Sequence, residues 1–326
     1  AGRLGCYGSP RESPPTIDAR AARGRVYERA YSQACWTVPS MISMMTGVSV
    51  TVEETVLPDV AVLAEVLRDA GLETAAFPAN NTLFAERGFE RGYDFFEPSP
   101  NVNGPALAAR FEAWLGARSD PDRPFFAWVQ FIDPHDPYEP APEHDLFTGE
   151  RVDEERLVAR WRAEEARAAE LAGDVEPLAL EAAIAAMRRE SNLYDGEVRA
   201  VDDGVGRILA ALRAAGALDD TLVILCSDHG EMLYEHKTPP YLVRDRIEKT
   251  GGLPDGVKDL FGRGHRTWYY EELWNTPFVL AGPGILSVRS DGLLANLHTY
   301  PTGLDALDRG ARPWLEGKSL WCGAEP

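Results

Sequence analysis

The segment Thr221–His236, TLVILCSDHGEMLYEH, constrains the fold more than any other stretch of the sequence. Its residues from Thr221 to Cys226 are apolar or β-branched, which is typical of a strand buried on both faces of a parallel sheet. The run then ends in polar residues. Because ligands bind beyond the carboxyl ends of strands in open α/β sheets, we expect Asp228 and His229 at a functional site. Such a pair can hold a divalent metal, although a helix cap at Asp228 and a turn at His229 would explain the same residues.

Two further strands are predicted to deliver polar side chains in the same way. The apolar run Pro124–Ile132 is followed within three residues by His135, and the predicted strand Leu72–Phe77 is followed by Asn80 and Asn81. A single histidine in such a place is more often structural than functional. Two strands that each carry a histidine past their ends therefore favour a shared site.

A threonine lies where a helix is predicted to begin. Proline is favoured in the first helical turn, so Pro39 predicts a helix that ends near Gly47. Thr37 then precedes a helix N-terminus, where free N–H groups and the helix dipole attract anions. Its hydroxyl could act as a nucleophile or a metal ligand, or serve as an ordinary N-terminal cap.

The remaining patterns predict one α/β domain over residues 1–326. Residues 1–35 are expected to be loop with a short helix near Asp18–Tyr27, and residues 237–264 an irregular polar loop. Residues 151–190, rich in Ala, Glu and Arg, are expected to form a helical surface insertion. Further predicted helices are Pro58–Ala70, Leu107–Leu115, Tyr194–Leu212 and one near Thr267–Trp274, and the last predicted strand is Pro277–Ala281.

The net charge of −19 argues against nucleic acid or an anionic membrane as partner. The four cysteines are scattered without the spacing of a metal site or a disulfide framework. We find no apolar run long enough to cross a bilayer.

Several segments, taken in order, resemble the sulfatase branch of the alkaline phosphatase superfamily. The resemblance implies an alkaline-phosphatase-like three-layer α/β sandwich, with a mostly parallel central sheet, helices on both faces and the active site at the carboxyl ends of the strands. The matching segments are Leu4–Gly8; Trp36–Ser40 with Thr46-Gly47; Gly88-Phe89 and Gly92–Asp94; Asp133–Tyr138; Tyr194 with Asp202; Ser227–Glu231; Glu235-His236; Thr276-Pro277 with Gly282–Gly284; and Pro301-Thr302.

The resemblance also implies roles for individual residues. Asp228 and His229, with Thr37, look like ligands of one divalent metal ion, for which Mn, Ca, Mg and Zn are all candidates. His135 and His265 look like contacts to the sulfate or phosphate oxygens or to the leaving group. His236 is expected to support the metal ligands or to contact substrate, and so is either Asn80 or Asn81.

Two departures from the family change the expected activity. The formylglycine signal needs Cys-x-Pro-x-Arg, whereas this chain has Thr37-Val38-Pro39-Ser40-Met41, and Cys35 stands two residues too early. Threonine is used by phosphate-handling relatives, so phosphate mono- or diesters or phosphonates are favoured over sulfates. Relatives also open with a strand that ends in metal-binding aspartates. We expect that this sequence lacks that first strand through truncation, which would leave the exact chain short of a metal ligand.

The sequence therefore predicts a metal-dependent hydrolase of sulfuric or phosphoric esters, acting on a small-molecule, glycan or lipid ester. Two alternatives stay open at this point. One is a phospho-group transferase of the lipoteichoic acid synthase type, and the other is a non-catalytic binding relative with an incomplete metal site.

Overall fold

The computed structural model describes residues 2–9, 11, 15–148, 157–160, 180–251, 258, 260–266, 269–310 and 312–321. Its α-helices are α1 Pro15–Ala21, α2 Thr37–Thr46, α3 Leu63–Asp69, α4 Gly104–Ala117, α5 Leu180–Ala214, α6 Pro240–Thr250, α7 Glu271–Trp274 and α8 Thr299–Asp305. Its strands are β1 Arg25–Tyr31, β2 Glu73–Pro78, β3 Phe95–Phe96, β4 Phe125–Gln130, β5 Val223–Cys226, β6 Met232–Lys237, β7 Phe261–Gly264, β8 Asn275–Ala281 and β9 Val288–Ala295. No helix among these residues is long and apolar enough to cross a membrane.

One sheet has the strand order β5-β8-β1-β9. It includes β5, the strand that the sequence predicts from the apolar run Thr221–Cys226. Strand β8 runs antiparallel to both β5 and β1, whereas β1 and β9 are parallel. The sheet is therefore mixed where the sequence predicts a mostly parallel one. Tyr27 of β1 packs edge-on against Phe278 of β8, with ring centroids 5.9 Å apart, and both side chains are fully buried.

Strand β1 corrects the prediction for residues 1–35. The helix there is Pro15–Ala21, and Arg25–Tyr31 is a strand between two others rather than helix or loop. Its register to β8 shifts between Tyr27 and Ala30, which is a β-bulge. A bulge interrupts the alternation of apolar and polar residues, so the exposed Glu28 and Arg29 conceal the strand in the sequence. The edge strand β9 was missed as well.

A second sheet, β3-β2-β4, is parallel throughout. Strands β2 and β4 are paired from Glu73↔Phe125 to Pro78↔Gln130, so the segments that follow them leave the sheet at the same edge. Helices α4 and α5 contact each other, and Phe77 of β2 packs on Phe111 and Trp114 of α4. The strands predicted for residues 72–77 and 124–132 are present with slightly different bounds.

The prediction of an irregular loop at residues 237–264 was wrong in the described part. Strands β6 and β7 pair antiparallel there, and α6 lies between them in sequence. Val243 of α6 is 1% exposed and packs with Tyr234 and Phe261. The charged residues on the rest of α6 hid this apolar contact. The predicted insertion 151–190 lies outside the described residues except for 157–160, which are helical, and 180–190, which begin α5.

A slot lies between strands β4 and β5, and residues of both strands line it. Within the described chain, β4 pairs with β2 alone and β5 with β8 alone, so one edge of each strand is unpaired. Both border a cavity of about 1410 Å³, whose other walls include Val205 and Leu212 of α5 and Met41 of α2. The apolar residues of β5 are consequently only half-buried, whereas the sequence predicts burial on both faces.

Candidate active site

The carboxyl end of β5 carries a carboxylate and an imidazole side by side. One oxygen of Asp228 accepts the His229 backbone N–H at 3.0 Å, and the other lies 3.5 Å from His229 Nε2. His229 Nδ1 lies 2.8 Å from the carbonyl oxygen of Gly230. Because a carbonyl can only accept, Nδ1 holds the ring proton and Nε2 presents its lone pair. This is the tautomer that a metal-binding or proton-accepting Nε2 requires.

Thr37 faces this pair from the first turn of α2. The N-terminal cap of α2 is Trp36, so Thr37 is the first helical residue rather than the cap. Its Oγ1 lies 3.2 Å from His229 Nε2, and the Asn80 side-chain amide donates to the same oxygen at 3.4 Å. Every residue of α2 is buried, and an oxygen at the N-terminus of a buried helix lies in a positive electrostatic potential. Asn81, by contrast, is exposed.

Two polar side chains without a predicted role hold α2 and β5 in place. Ser40 Oγ donates to the Asp228 carbonyl oxygen at 2.5 Å and lies 2.8 Å from Ser32 Oγ, in a fully buried position. Asn296 donates to the carbonyl oxygen of Ser227 at 2.7 Å, and its own amide oxygen accepts from Thr276 at 3.0 Å. Ser40 lies within a matched sequence motif and Asn296 in none, and only the fold shows what the two contact.

Three histidines from three elements meet at the site. His265, directly after β7, has its ring 4.3 Å from that of His229 and 5.3 Å from that of His135. Its Nδ1 lies 3.0 Å from a carboxylate oxygen of Glu231. Glu231 is another residue whose role the sequence did not indicate. Its side chain is 5% exposed, and its second oxygen has no partner among the described residues.

The surroundings change the pKa values of His265 and His135 in opposite directions. Burial opposes protonation of His265, but the hydrogen bond and charge of Glu231, with the charge of Asp228, outweigh it and raise the pKa. Burial and the neighbouring charge of His265 lower the pKa of His135. Two imidazoles with opposite shifts suit the donation and acceptance of a proton near neutral pH.

His236 lies in a different environment from the one expected. Its Nε2 is 3.0 Å from each carboxylate oxygen of Glu272, and its ring stacks on Tyr270 with centroids 3.7 Å apart. None of the contacts described for it reaches Asp228 or His229. Of the residues proposed from the sequence, the structure thus brings together Thr37, Asn80, His135, Asp228, His229 and His265.

The sulfatase family model matches residues 1–309 of the chain. The chain belongs to the sulfatase family. It is 33% identical over 126 residues to an arylsulfatase of Clostridium perfringens, covering 36% of this chain and 24% of that protein. It is 27% identical over 244 residues to human N-sulphoglucosamine sulphohydrolase, covering 69% of this chain and 47% of the human protein. The chain thus spans less than half the length of these curated relatives.

The same fold occurs in the crystal structure of a phosphonate monoester hydrolase of Agrobacterium radiobacter. The two superpose with a TM-score of 0.69 at 19% sequence identity, over 99% of this chain and 75% of that chain. The family and the alkaline-phosphatase-like α/β fold predicted from the motifs are both confirmed by these matches.

Proposed function

We propose that this sulfatase-family protein is a metal-dependent ester hydrolase in which Thr37 is the nucleophile, acting on phosphate mono- or diesters or phosphonates in preference to sulfates. The position of Thr37 Oγ1, 3.2 Å from His229 Nε2 at the start of a buried helix, carries the proposal. A side-chain hydroxyl is an established nucleophile in phosphoryl transfer. The choice of a phosphorus centre rests on Thr37, because the fold is shared both with a phosphonate monoester hydrolase and with a protein solved with a disulfated glucosamine substrate.

The residues present fit part of a metal site. Two ligands with bonds of about 2.1 Å lie about 3.4 Å apart at a tetrahedral angle, close to the 3.5 Å between Asp228 Oδ2 and His229 Nε2. The described residues include no group of three or more His, Cys, Asp or Glu side chains spaced to hold a metal. Asp228 and His229 would therefore supply part of a shell for Mn, Ca, Mg or Zn. A divalent ion bound there would withdraw charge from the ester oxygens.

The side chains around the metal site would carry out nucleophilic attack, charge stabilisation and proton transfer. Thr37 Oγ1 forms the new bond to phosphorus, giving a covalent phosphoryl-threonine that water cleaves in a second step. Free N–H groups in the first turn of α2 and the Asn80 amide stabilise negative charge near this oxygen. His265, whose protonated form Glu231 favours, gives a proton to the departing alcohol as the bond between phosphorus and the alcohol oxygen breaks. His135, whose pKa is lowered, accepts the proton that the Thr37 hydroxyl loses.

We further propose that one extended polypeptide segment fills the slot between β4 and β5 and brings a third, acidic ligand to Asp228 and His229. The unpaired edges of these two strands face the same cavity, and a strand placed there would pair with both. Such a strand, if parallel to its neighbours, would end beside Asp228.

Hydrogen exchange on the protein as its gene encodes it tests this assignment. We expect every backbone amide of β4 and β5 to be protected, because both edges of each strand would then be hydrogen-bonded. Fast exchange of alternate amides along both strands would show open edges and contradict a strand in the slot.

Replacing Thr37 tests the reaction itself. Thr37→Ala should lower kcat for aryl phosphates and phosphonates by on the order of 10³-fold or more, because the nucleophile is lost. Thr37→Ser retains a hydroxyl and should remain active, and metal binding should remain measurable in both variants. Acid-quenched wild-type protein should carry a phosphoryl group on Thr37 by mass spectrometry. Full activity of Thr37→Ala would refute the assignment.

Two controls separate the alternatives. If added glycerol receives the phosphoryl group in preference to water, the protein is a transferase. If the metal-loaded wild type turns over neither aryl phosphates, phosphonates nor sulfates, it is a binding protein.

A further inference from the structure

Arg266 combines three features that set it apart from the other arginines near the site. It is a non-glycine residue with a positive φ of 80°, and its backbone N–H donates to the Cys35 carbonyl oxygen at 3.0 Å. Its guanidinium carbon lies 4.4 Å from the centroid of the Trp36 ring. Trp36 directly precedes Thr37, so this cation lies beside the entrance to α2.

The backbone conformation indicates that the side chain is needed. Glycine adopts positive φ at little cost, whereas a residue with a Cβ is strained there. Such strain persists where the surrounding structure enforces it, and it concentrates at functional sites. An arginine at this position carries a conformational cost that a glycine would not, which favours a role for its side chain.

The guanidinium of Arg266 is also available to a ligand. Arg263 on the same segment forms ion pairs with Asp136 and Glu190, and Arg3 is paired with Asp195. For Arg266, the contacts described are the cation–π contact with Trp36 and the backbone hydrogen bond, with no carboxylate partner among the described residues. In a chain of net charge −19, an exposed cation beside the nucleophile without such a partner favours an anion from outside the protein.

The position of Arg266 at the edge of the site around Thr37 indicates which anion it binds. The centre of the site, around Thr37 Oγ1, is formed by Asp228, His229 and Asn80. Arg266 lies to one side of that centre, over the outer residue Trp36, and it is exposed to solvent. A substrate whose reacting group lies at Thr37 would present its alcohol part to this edge.

We propose that Arg266 is a specificity-determining residue that binds a second anionic group, carried on the alcohol part of the ester and distinct from the group that reacts. This inference rests on the proposed function and narrows it to esters of anionic alcohols. The planar guanidinium, whose central carbon lies over the Trp36 ring, can donate two N–H bonds to a carboxylate, sulfate or phosphate.

A pair of matched aryl esters tests the inference. The phosphate esters of 4-hydroxybenzoate and 4-hydroxybenzamide differ in the charge of the alcohol part and little in size. The wild type should show a KM about tenfold lower for the carboxylate ester, as expected for one charge-assisted hydrogen bond at a partly exposed site. Arg266→Gln should abolish this preference and Arg266→Lys should retain part of it. The matched control Arg263→Gln, which removes an ion-paired arginine, should retain all of it.

Two further readouts make the result independent of folding and of turnover. Arg266→Gly relieves the strained φ, so it should unfold at the same temperature as the wild type or higher while losing the preference. Calorimetric binding of 4-hydroxybenzoate should be weaker for Arg266→Gly than for the wild type. Hydrolysis of both esters with equal KM by the wild type, or a preference that survives Arg266→Gln, would overturn the inference and leave the proposed hydrolase standing. Hydrolysis of neither ester, together with no turnover of aryl phosphonates or sulfates, would refute the hydrolase itself.

Discussion

Glu197 is a buried carboxylate whose replacement by glutamine should stabilise the protein at alkaline pH. It lies on α5, is 8% exposed, and accepts the backbone N–H of Glu139 at 2.8 Å. Burial raises its pKa from 4.5 to about 7. The hydrogen bond from Glu139 opposes this rise, and the charges of Asp133 and Glu139 add to it. In the unfolded chain the same group titrates near its ordinary value.

The sign and size of the effect follow from this difference. Below the unfolded pKa both states are protonated, and above about 7 both are ionised, so the native state loses stability as the pH rises between them. Each pKa unit corresponds to about 1.4 kcal/mol, which gives a total loss of about 3 kcal/mol. Glu197→Gln keeps an oxygen for the Glu139 N–H and carries no charge. The free energy of unfolding of Glu197→Gln, minus that of the wild type, should therefore rise by about 2.5 kcal/mol between pH 5 and pH 8.

Urea unfolding of the wild type and Glu197→Gln at the two pH values measures this quantity directly. The other buried carboxylates titrate in both proteins, so the difference between variants reports Glu197 together with its charge interactions with Asp133 and Glu139. A difference that is the same at both pH values, or that is larger at pH 5, would refute the reasoning.

Two other substitutions test how the site is held together. Gly230→Ala would place a Cβ 1.8 Å from the Glu272 carbonyl oxygen. We expect the free energy of unfolding to fall by at least about 1–3 kcal/mol. The shift of the neighbouring His229 should also abolish activity. Gly116→Ala is the matched control, because nothing lies within 4 Å of its added Cβ, and thermal denaturation should show it as stable as the wild type or more so. Ser40→Ala removes the hydroxyl that donates to the Asp228 carbonyl. We expect urea unfolding to show about 1–3 kcal/mol of destabilisation, and we expect kcat to fall. An unchanged kcat would show that this contact does not position Asp228.

The parts of the site that the sequence predicted are those with a local signature. The apolar runs of β4 and β5 end abruptly in polar residues, and that pattern alone located Asp228, His229 and His135 at strand ends. Pro39 and Gly47 similarly marked the limits of α2 to within two residues. Each signal lies within ten residues of the feature it predicts.

The parts that could not be predicted depend on partners far away in the sequence. Ser40 contacts a residue 188 positions later, and Asn296 contacts one 69 positions earlier. Strand β1 was hidden for another reason, since its bulge places Glu28 and Arg29 between buried residues. A serine or an asparagine in a helix or loop has many uses, and only the fold selects one of them.

The two contacts between α2 and the end of β5 also determine when the site can form during synthesis. Thr37 reaches His229 across 192 residues, and Ser40 reaches Asp228 across 188. A ribosome must therefore synthesise the residues between Thr37 and His229 before these two side chains can meet, and His265 arrives later still. Contacts of such high contact order form slowly. Nascent chains and amino-terminal proteolytic fragments should consequently carry Thr37 without any capacity to cleave esters.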